Sequence, residues 1–231
     1  MLTLAVETSG LTASASVVEN GKVIAELNLQ YGKTHSQKII PMLKTMLGMI
    51  NKDFKDIDLF AASTGPGSFT GLRIGVVTIK GLAYSLNKPV CGIPTLDSLA
   101  FLVPDFKGVI SPMLDARNNQ VYTALYRKEN GNLEKIIYEE GILIDEWIKK
   151  LEEYEEVMIL GDGAPLHYER MNEALKGRVT IAPPAFFFPR AAATAILAEK
   201  AYYENKAMSP FDLNPLYVRK SQAERMKELK S

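Results

Sequence analysis

The chain is 231 residues long, and its 27 lysines and arginines balance 27 aspartates and glutamates, so the formal net charge is zero. Hydrophobic residues make up 47% and charged residues 23%, which is too apolar for a disordered chain and allows one large domain or two small ones, each with its own core. Neutrality argues against a protein that grips nucleic acid unaided through clustered basic residues. The single cysteine, Cys91, leaves no disulfide framework and no CxxC metal knuckle. The start MLTLAVETSG has neither the basic residues nor the cleavage site of a secretory signal, and the most apolar run, Phe186–Ala198, is broken by Pro189 and Arg190. A cytoplasmic protein without a membrane partner is expected.

In chain order, β-branched and alternating segments predict strands at Leu2–Glu7, Ala13–Glu19 and Lys22–Leu29, with Asn20-Gly21 marking a tight hairpin. Ile39, Ile40, Leu43, Met46, Leu47 and Ile50 recur at helical spacing from about Ser36, and Pro41 predicts a late start or a bend. A buried strand at Asp58–Ser63, a glycine-rich turn, a helix over Thr70–Leu86 and a strand at Pro89–Gly92 complete a β-β-β-α-β-α-β order. The same order returns. Strands are expected at Val109–Asp115, at Gln120–Arg127 and after Asn130-Gly131, and Asp145 is expected to cap a helix running to Glu153. A strand at Val157–Leu160, a Gly161-Asp162-Gly163 turn, a helix over Leu166–Leu175, a strand at Val179–Ala182 and a helix over Ala191–Tyr203 follow. An Asn-Gly hairpin at the same place in each half, and a glycine turn after each fourth strand, point to internal duplication. The fold class expected is α/β, two tandem ribonuclease-H-like lobes of the actin-like (ASKHA) fold, divided into residues 1–103 and 104–231 near the break at Pro104 and Asp105.

The stretch Ser63-Thr64-Gly65-Pro66-Gly67-Ser68-Phe69-Thr70-Gly71 lies between a strand and a helix, where backbone N–H groups can hold an anion. It is neither a Walker loop nor the dinucleotide fingerprint, and a tight turn with a Ser/Thr cap is an equal reading. In the helix that follows, Gly71, Gly75, Thr78 and Leu82 share one stripe. Leu72, Ile74, Val76, Val77, Ile79, Ala83 and Leu86 cover most other directions, and Arg73 and Lys80 are its only charges. Such a helix needs cover on two sides. One cover is its own sheet; the other is either the Ile39–Ile50 helix or, as preferred here, a helix of another chain.

The strings ETSGLTASASVVENGKV, THSQKIIPML, STGPGSFTGLRIG, PMLDARNNQVYTALY and PLYVRKSQAE together resemble the TsaB (YeaZ) family from end to end. That resemblance implies a non-catalytic part in making threonylcarbamoyladenosine beside the tRNA anticodon. It implies pairing with the related catalytic subunit TsaD, cooperation with the ATPase TsaE, homodimer formation in isolation, and tRNA contact only through the complex. The interface expected comprises His35, Ile39, Leu43, Met46, Gly71, Leu72, Arg73, Gly75, Val76 and Lys80. TsaD-type proteins carry an HxxxH metal motif after a Gly-hydrophobic dipeptide; the matching stretch here, Gly92-Ile93-Pro94-Thr95-Leu96-Asp97-Ser98-Leu99, puts Thr95 and Leu99 at the ligand positions. A hydroxyl and an alkyl group cannot replace two imidazoles. No catalytic residue and no metal are therefore expected.

Proteins of this fold place ATP between lobes, with an acid at the end of each lobe's first strand. Glu7 and Asp115 occupy those ends and could hold Mg²⁺ through water. Otherwise Glu7 accepts bonds from Thr8, Ser9 or nearby backbone, and Asp115 orders its own hairpin. Asp162 splits the glycines of the adenine-side turn, so no nucleotide is expected to bind the isolated chain tightly, although ATP or ADP could sit at an interface with TsaD. The alternative function is an ATP-dependent phosphotransferase. A protease reading lacks HExxH, a Ser-His-Asp set and an activated Cys. Arg219, Lys220, Arg225, Lys227 and Lys230 gather in the tail with Glu224 and Glu228 interleaved, which suits a solvated helix first and a tRNA or partner contact second.

Overall fold

A computed structural model describes residues 1–30 and 35–218; the side chain of His35 and the basic tail from Arg219 onward lie outside the described residues. The first sheet is built from β1 (Leu2–Glu7), β2 (Ala13–Glu19), β3 (Lys22–Leu29), β4 (Leu59–Gly65) and β5 (Val90–Pro94), with spatial order β3-β2-β1-β4-β5. The second comprises β6 (Phe106–Asp115), β7 (Gln120–Glu129), β8 (Asn132–Leu143), β9 (Val157–Leu160) and β10 (Val179–Ile181), in the order β10-β9-β6-β7-β8. Read from the other edge, that is the same arrangement. Each lobe pairs its first strand antiparallel to the second and parallel to the fourth. The hairpins agree down to the dihedral angles: Asn20 and Gly21 have φ of 50° and 78°, Asn130 and Gly131 of 53° and 74°. Positive φ at both central residues is what a two-residue hairpin between right-twisted strands requires.

Period-two alternation sorts each strand's side chains onto two faces. On the first sheet, Leu4, Val6, Phe60 and Ala62 face α1 (His35–Met49) and α2 (Phe69–Leu86). The first of these helices begins at His35 and includes an exposed Pro41. Ala5, Val18, Leu59, Ala61 and Cys91 face the opposite way, against Ala191, Ala195 and Ala198 of α6 (Ala191–Tyr203). On the second sheet, Val109, Met113, Leu125 and Ile159 pack under α4 (Ile144–Leu151) and α5 (Ala164–Ala174). The other face, with Ile110, Leu114, Ala124 and Tyr126, receives Leu96, Leu99 and Ala100 of α3 (Thr95–Leu102) and Val103 just beyond it.

Each lobe therefore lends a helix to its neighbour. The helix that follows the first set of strands covers the second sheet, and the helix that follows the second set covers the first. The two sets of strands part between Pro94 and Phe106, and α6 with the segment after it lies on the first lobe's sheet although it falls in the second half of the chain. Met208 exchanges backbone hydrogen bonds with Val90, and Leu213 joins the first core. The α3 helix itself was not anticipated, because eight residues starting behind Pro94 are too few to show a period. Asp145, expected as a cap, stands in the first turn of α4 and pairs with Arg170 at 2.6 Å.

The loan of α6 is fixed by buried polar contacts. Glu199 is buried, and its two carboxylate oxygens accept from Thr3 Oγ1 at 3.0 Å and from the hairpin amide of Gly21 at 2.6 Å. Glu26 accepts from the Ala192 amide at 3.1 Å and pairs with Arg190, and Ser14 Oγ accepts from the Ala191 amide at 2.9 Å. Replacing Glu199 with Ala strands a buried hydroxyl and a hairpin amide. Charge-assisted bonds of this kind contribute about 1.5–3 kcal/mol each, so Glu199→Ala is expected to lower the unfolding free energy by about 2–4 kcal/mol. Urea denaturation followed by circular dichroism measures this.

Candidate partner-docking site

The glycine-rich loop and α2 are held against the end of β1 at backbone distance. A Cβ added to Gly71 would stand 2.0 Å from the carbonyl oxygen of Thr8, and one added to Gly75 would stand 2.4 Å from Thr8 Oγ1. The Thr8 hydroxyl donates to the Gly71 carbonyl at 2.8 Å. A Cβ on Gly67, whose φ is 157°, would meet Ser9 O at 2.5 Å, and the Ser68 amide donates to that same oxygen at 2.6 Å. Ser68 Oγ in turn accepts from the Gly71 amide at 3.2 Å as the helix cap. The glycines thus serve close packing, and of the two readings of this loop the capped turn is the one these contacts describe.

The same contacts fix which face of α2 is turned outward. Gly71 and Gly75 meet the sheet, and Leu72, Val76, Ile79 and Ala83 are buried. Ile39, Leu43 and Met46 of α1 are 1%, 0% and 1% exposed in the same core. The assignment of Ile39, Leu43, Met46, Gly71, Leu72, Gly75 and Val76 as partner-contacting residues is therefore corrected: they are interior side chains and glycines of this lobe. The α1 helix supplies the second cover of α2 from within the chain. Arg73 is exposed and Lys80 half-buried, so these two do lie at the surface.

What α2 presents instead is a ridge one helical step away, with Arg73, Val77, Gly81 and Tyr84 at positions i, i+4, i+8 and i+11. Val77 is 65% and Tyr84 64% exposed, and Met49 at the end of α1 is 72% exposed. The C-terminal segment flanks this ridge. Tyr217 stacks on Phe69 with centroids 4.7 Å apart and accepts from Arg73 Nε at 2.9 Å, while the Arg73 guanidinium lies 3.9 Å above the Phe69 ring. Lys80 Nζ donates to the Phe211 carbonyl at 3.1 Å, and the Phe211 ring meets Tyr84 edge-on at 5.1 Å. Val77 and Tyr84 were missed as surface residues because period 3.6 marks α2 as apolar nearly all round; the clue was in the glycines, which mark the face that touches backbone.

The two nucleotide candidates sit in unlike surroundings. Glu7 is wholly buried, accepts from the Ser9 amide at 2.6 Å and receives a short hydrogen bond from Ser63 Oγ. Asp115 is exposed and accepts from the Arg117 amide at 2.8 Å, while its own amide donates to Asp162 Oδ1 at 3.0 Å. A hydrated ion shared by both carboxylates needs both in one wet space, and Glu7 is closed off. Burial raises the Asp162 carboxyl above its ordinary value, and the charge of Asp115 adds to the rise. His167 is buried in α5, and burial lowers its pKa. Among the described residues no cluster of His, Cys, Asp and Glu could hold a metal. Thr95 and Leu99 are both wholly buried in α3. Burial pushes the Cys91 thiol up to about 11, which leaves it a poor nucleophile.

Residues 22–227 match the family model described as TsaD, tRNA N6-adenosine threonylcarbamoyltransferase. A Bacillus subtilis protein named tRNA threonylcarbamoyladenosine biosynthesis protein TsaB is 34% identical over 225 residues, covering 97% of this chain and 96% of that one. The chain belongs to the TsaB family. The solved structure of YeaZ from Pseudomonas aeruginosa superposes with a TM-score of 0.78 at 22% identity, over 94% of this chain and 99% of that one, and has the same two-lobed fold. A Dictyoglomus turgidum tRNA N6-adenosine threonylcarbamoyltransferase is 31% identical over 117 residues, 44% of this chain and 35% of that one. The similarity to TsaB spans the whole chain; the similarity to that transferase covers a part.

The Asp162 turn carries a pH dependence. A carboxyl whose folded pKa is raised binds more protons when folded, so its contribution is full below the unfolded value and is lost as pH rises through the folded value. Asp162→Asn keeps an acceptor for the Asp115 amide and cannot ionise. Its stability relative to the parent chain is expected to improve as pH rises from about 3 to 7, as measured by thermal unfolding across that range.

Proposed function

We propose that this chain serves tRNA threonylcarbamoyladenosine biosynthesis as a non-catalytic subunit. It docks on the catalytic TsaD-type subunit through the outward ridge of α2 beside α1, and acts with a TsaE-type ATPase. The observation that carries the reading is the pair Thr95 and Leu99. They stand where the resemblance to TsaD-type proteins places two metal-binding histidines, and both are wholly buried in α3. Membership of a family whose curated relatives are named for this pathway supports the pathway itself.

The docking ridge is supported by its composition. Tyr84, Phe211, Tyr217 and Arg73 are of the types that dominate protein interfaces, and Val77 adds an exposed aliphatic side chain on the same helix. In isolation a second copy of the chain occupies this ridge. Transfer-RNA is met through the complex. No nucleotide is held tightly by the chain alone, in keeping with the closure of Glu7; ATP or ADP belongs to the joint with the catalytic subunit. No described helix is long and apolar enough to cross a membrane, and a tRNA-modifying role places the chain in the cytoplasm.

Mixed with its cognate catalytic subunit, the protein is expected to co-elute as a heterodimer. Val77→Asp puts a charge on the ridge without entering the core and should weaken that pairing by about tenfold or more, roughly 1.4 kcal/mol, with the melting temperature of the isolated chain unchanged. Calorimetry on the pair measures this, and unaltered affinity removes α2 as the contact. Gly75→Asp and Val76→Asp are unsuitable probes, since both positions are buried within the lobe.

A further inference from the structure

Two-lobed phosphotransferases work by hinge and shear closure around their ligands. In this chain such motion would slide α3 past α6 and past the first-sheet strands it touches, because α3 rides chiefly on the second sheet and α6 on the first. Each helix is fastened to its host. Asp97 of α3 accepts from Tyr126 Oη at 2.6 Å and pairs with Lys135 at 2.7 Å, tying it to β7 and β8. Lys128 Nζ donates to the carbonyls of Phe101 and Val103 at the end of α3, at 2.7 and 2.5 Å. The ties of α6 to the first sheet through Glu199, Glu26 and Ser14 are given above. Closure then has to shift α3 against α6 and against the ends of β4 and β5, which α3 also touches.

A chain of buried hydroxyls reaches across the α3–α6 contact through one link, Ser98 to Thr194. Ser98 Oγ of α3 lies 3.1 Å from Thr194 Oγ1 of α6, which lies 3.3 Å from Ser63 Oγ of β4, and Ser63 donates to the buried carboxylate of Glu7. All four residues are buried, at 0–2% exposure. Sliding the helices would part Ser98 from Thr194, whose hydroxyl is held in place from the first lobe by Ser63 and Glu7, and a buried hydroxyl so stranded is costly. We propose that the Glu7–Ser63–Thr194–Ser98 chain is a lock that joins the two lobes into one rigid body, so that the cleft does not close around nucleotide. The carboxylate that the sequence offers as an ion ligand is the anchor of this lock. The inference stands apart from the docking proposal, since it concerns only motion within the chain.

The test is a distance between lobes. Spin labels on Lys44→Cys in α1 and Lys149→Cys in α4, both exposed positions, report it by pulsed dipolar spectroscopy on the full chain; Cys91 is buried and stays unlabelled. The parent chain should give one narrow distribution that millimolar Mg-ATP or Mg-ADP leaves unchanged. Thr194→Val, which keeps the shape and removes the hydroxyl, should broaden it or add a second distance, Ser98→Ala should do the same, and Thr194→Ser should restore the narrow peak. A parent distribution that is broad or shifts with nucleotide overturns the proposal. So does a narrow peak that survives in the folded Thr194→Val or Ser98→Ala chain. If one of these two fails to fold, the other decides.

Discussion

The contact on which the rest of the architecture depends is the seating of α2 on Thr8. Two glycines four residues apart let a helix backbone rest on the end of a strand, and one hydroxyl ties the two together through the Gly71 carbonyl. Any side chain at Gly71 would collide with peptide atoms that cannot rotate away. Once α2 is fixed in this orientation, Leu72, Val76 and Ile79 must point into the core shared with α1, and Arg73, Val77 and Tyr84 must point out. The glycine-rich string that first suggests a phosphate cradle is thus the means by which one face of a helix is chosen for the surface.

The C-terminal segment completes that surface. Leu216 donates its amide to the Thr64 carbonyl at 2.7 Å, directly over Gly65, where a Cβ would stand 2.6 Å from Leu216 O. Leu213 and Met208 hold the segment to the sheet, and its two aromatic rings border α2. The outward ridge is therefore a joint product of residues 69–86 and 208–217, although more than 120 positions separate them. An aromatic ring that is both packed against a neighbour and still exposed, like Phe211 at 69%, offers area to a partner at little entropic cost.

Much of this was legible in the chain. The two β-β-β-α-β-α-β sets, the paired Asn-Gly hairpins and the limits of β1, β2, β3, β9 and α6 follow from period and turn chemistry, because alternation and positive-φ residues act locally. The exchange of α3 and α6 between sheets was not legible, since an alanine-rich helix such as Ala191–Tyr203 fits any flat apolar face and its sequence does not name which. The docking residues went astray for a related reason. Helical spacing groups residues by face, and it does not say which face meets the sheet; only the distances at Gly71 and Gly75 do. Glu7 shows the opposite case, where the mundane alternative of bonds to Ser9 and its surroundings describes the carboxylate better than an ion site does.

The swapped helices also bear on synthesis. The first sheet leaves the ribosome early, yet the helix that shields its second face is encoded some hundred residues after its last strand, and Thr3 waits for Glu199. Ala5, Leu59, Ala61 and Cys91 receive their cover only once Ala191, Ala195 and Ala198 have been added. Neither sheet can therefore be finished from its own set of strands and helices, and long-range pairing of this kind is slow to form.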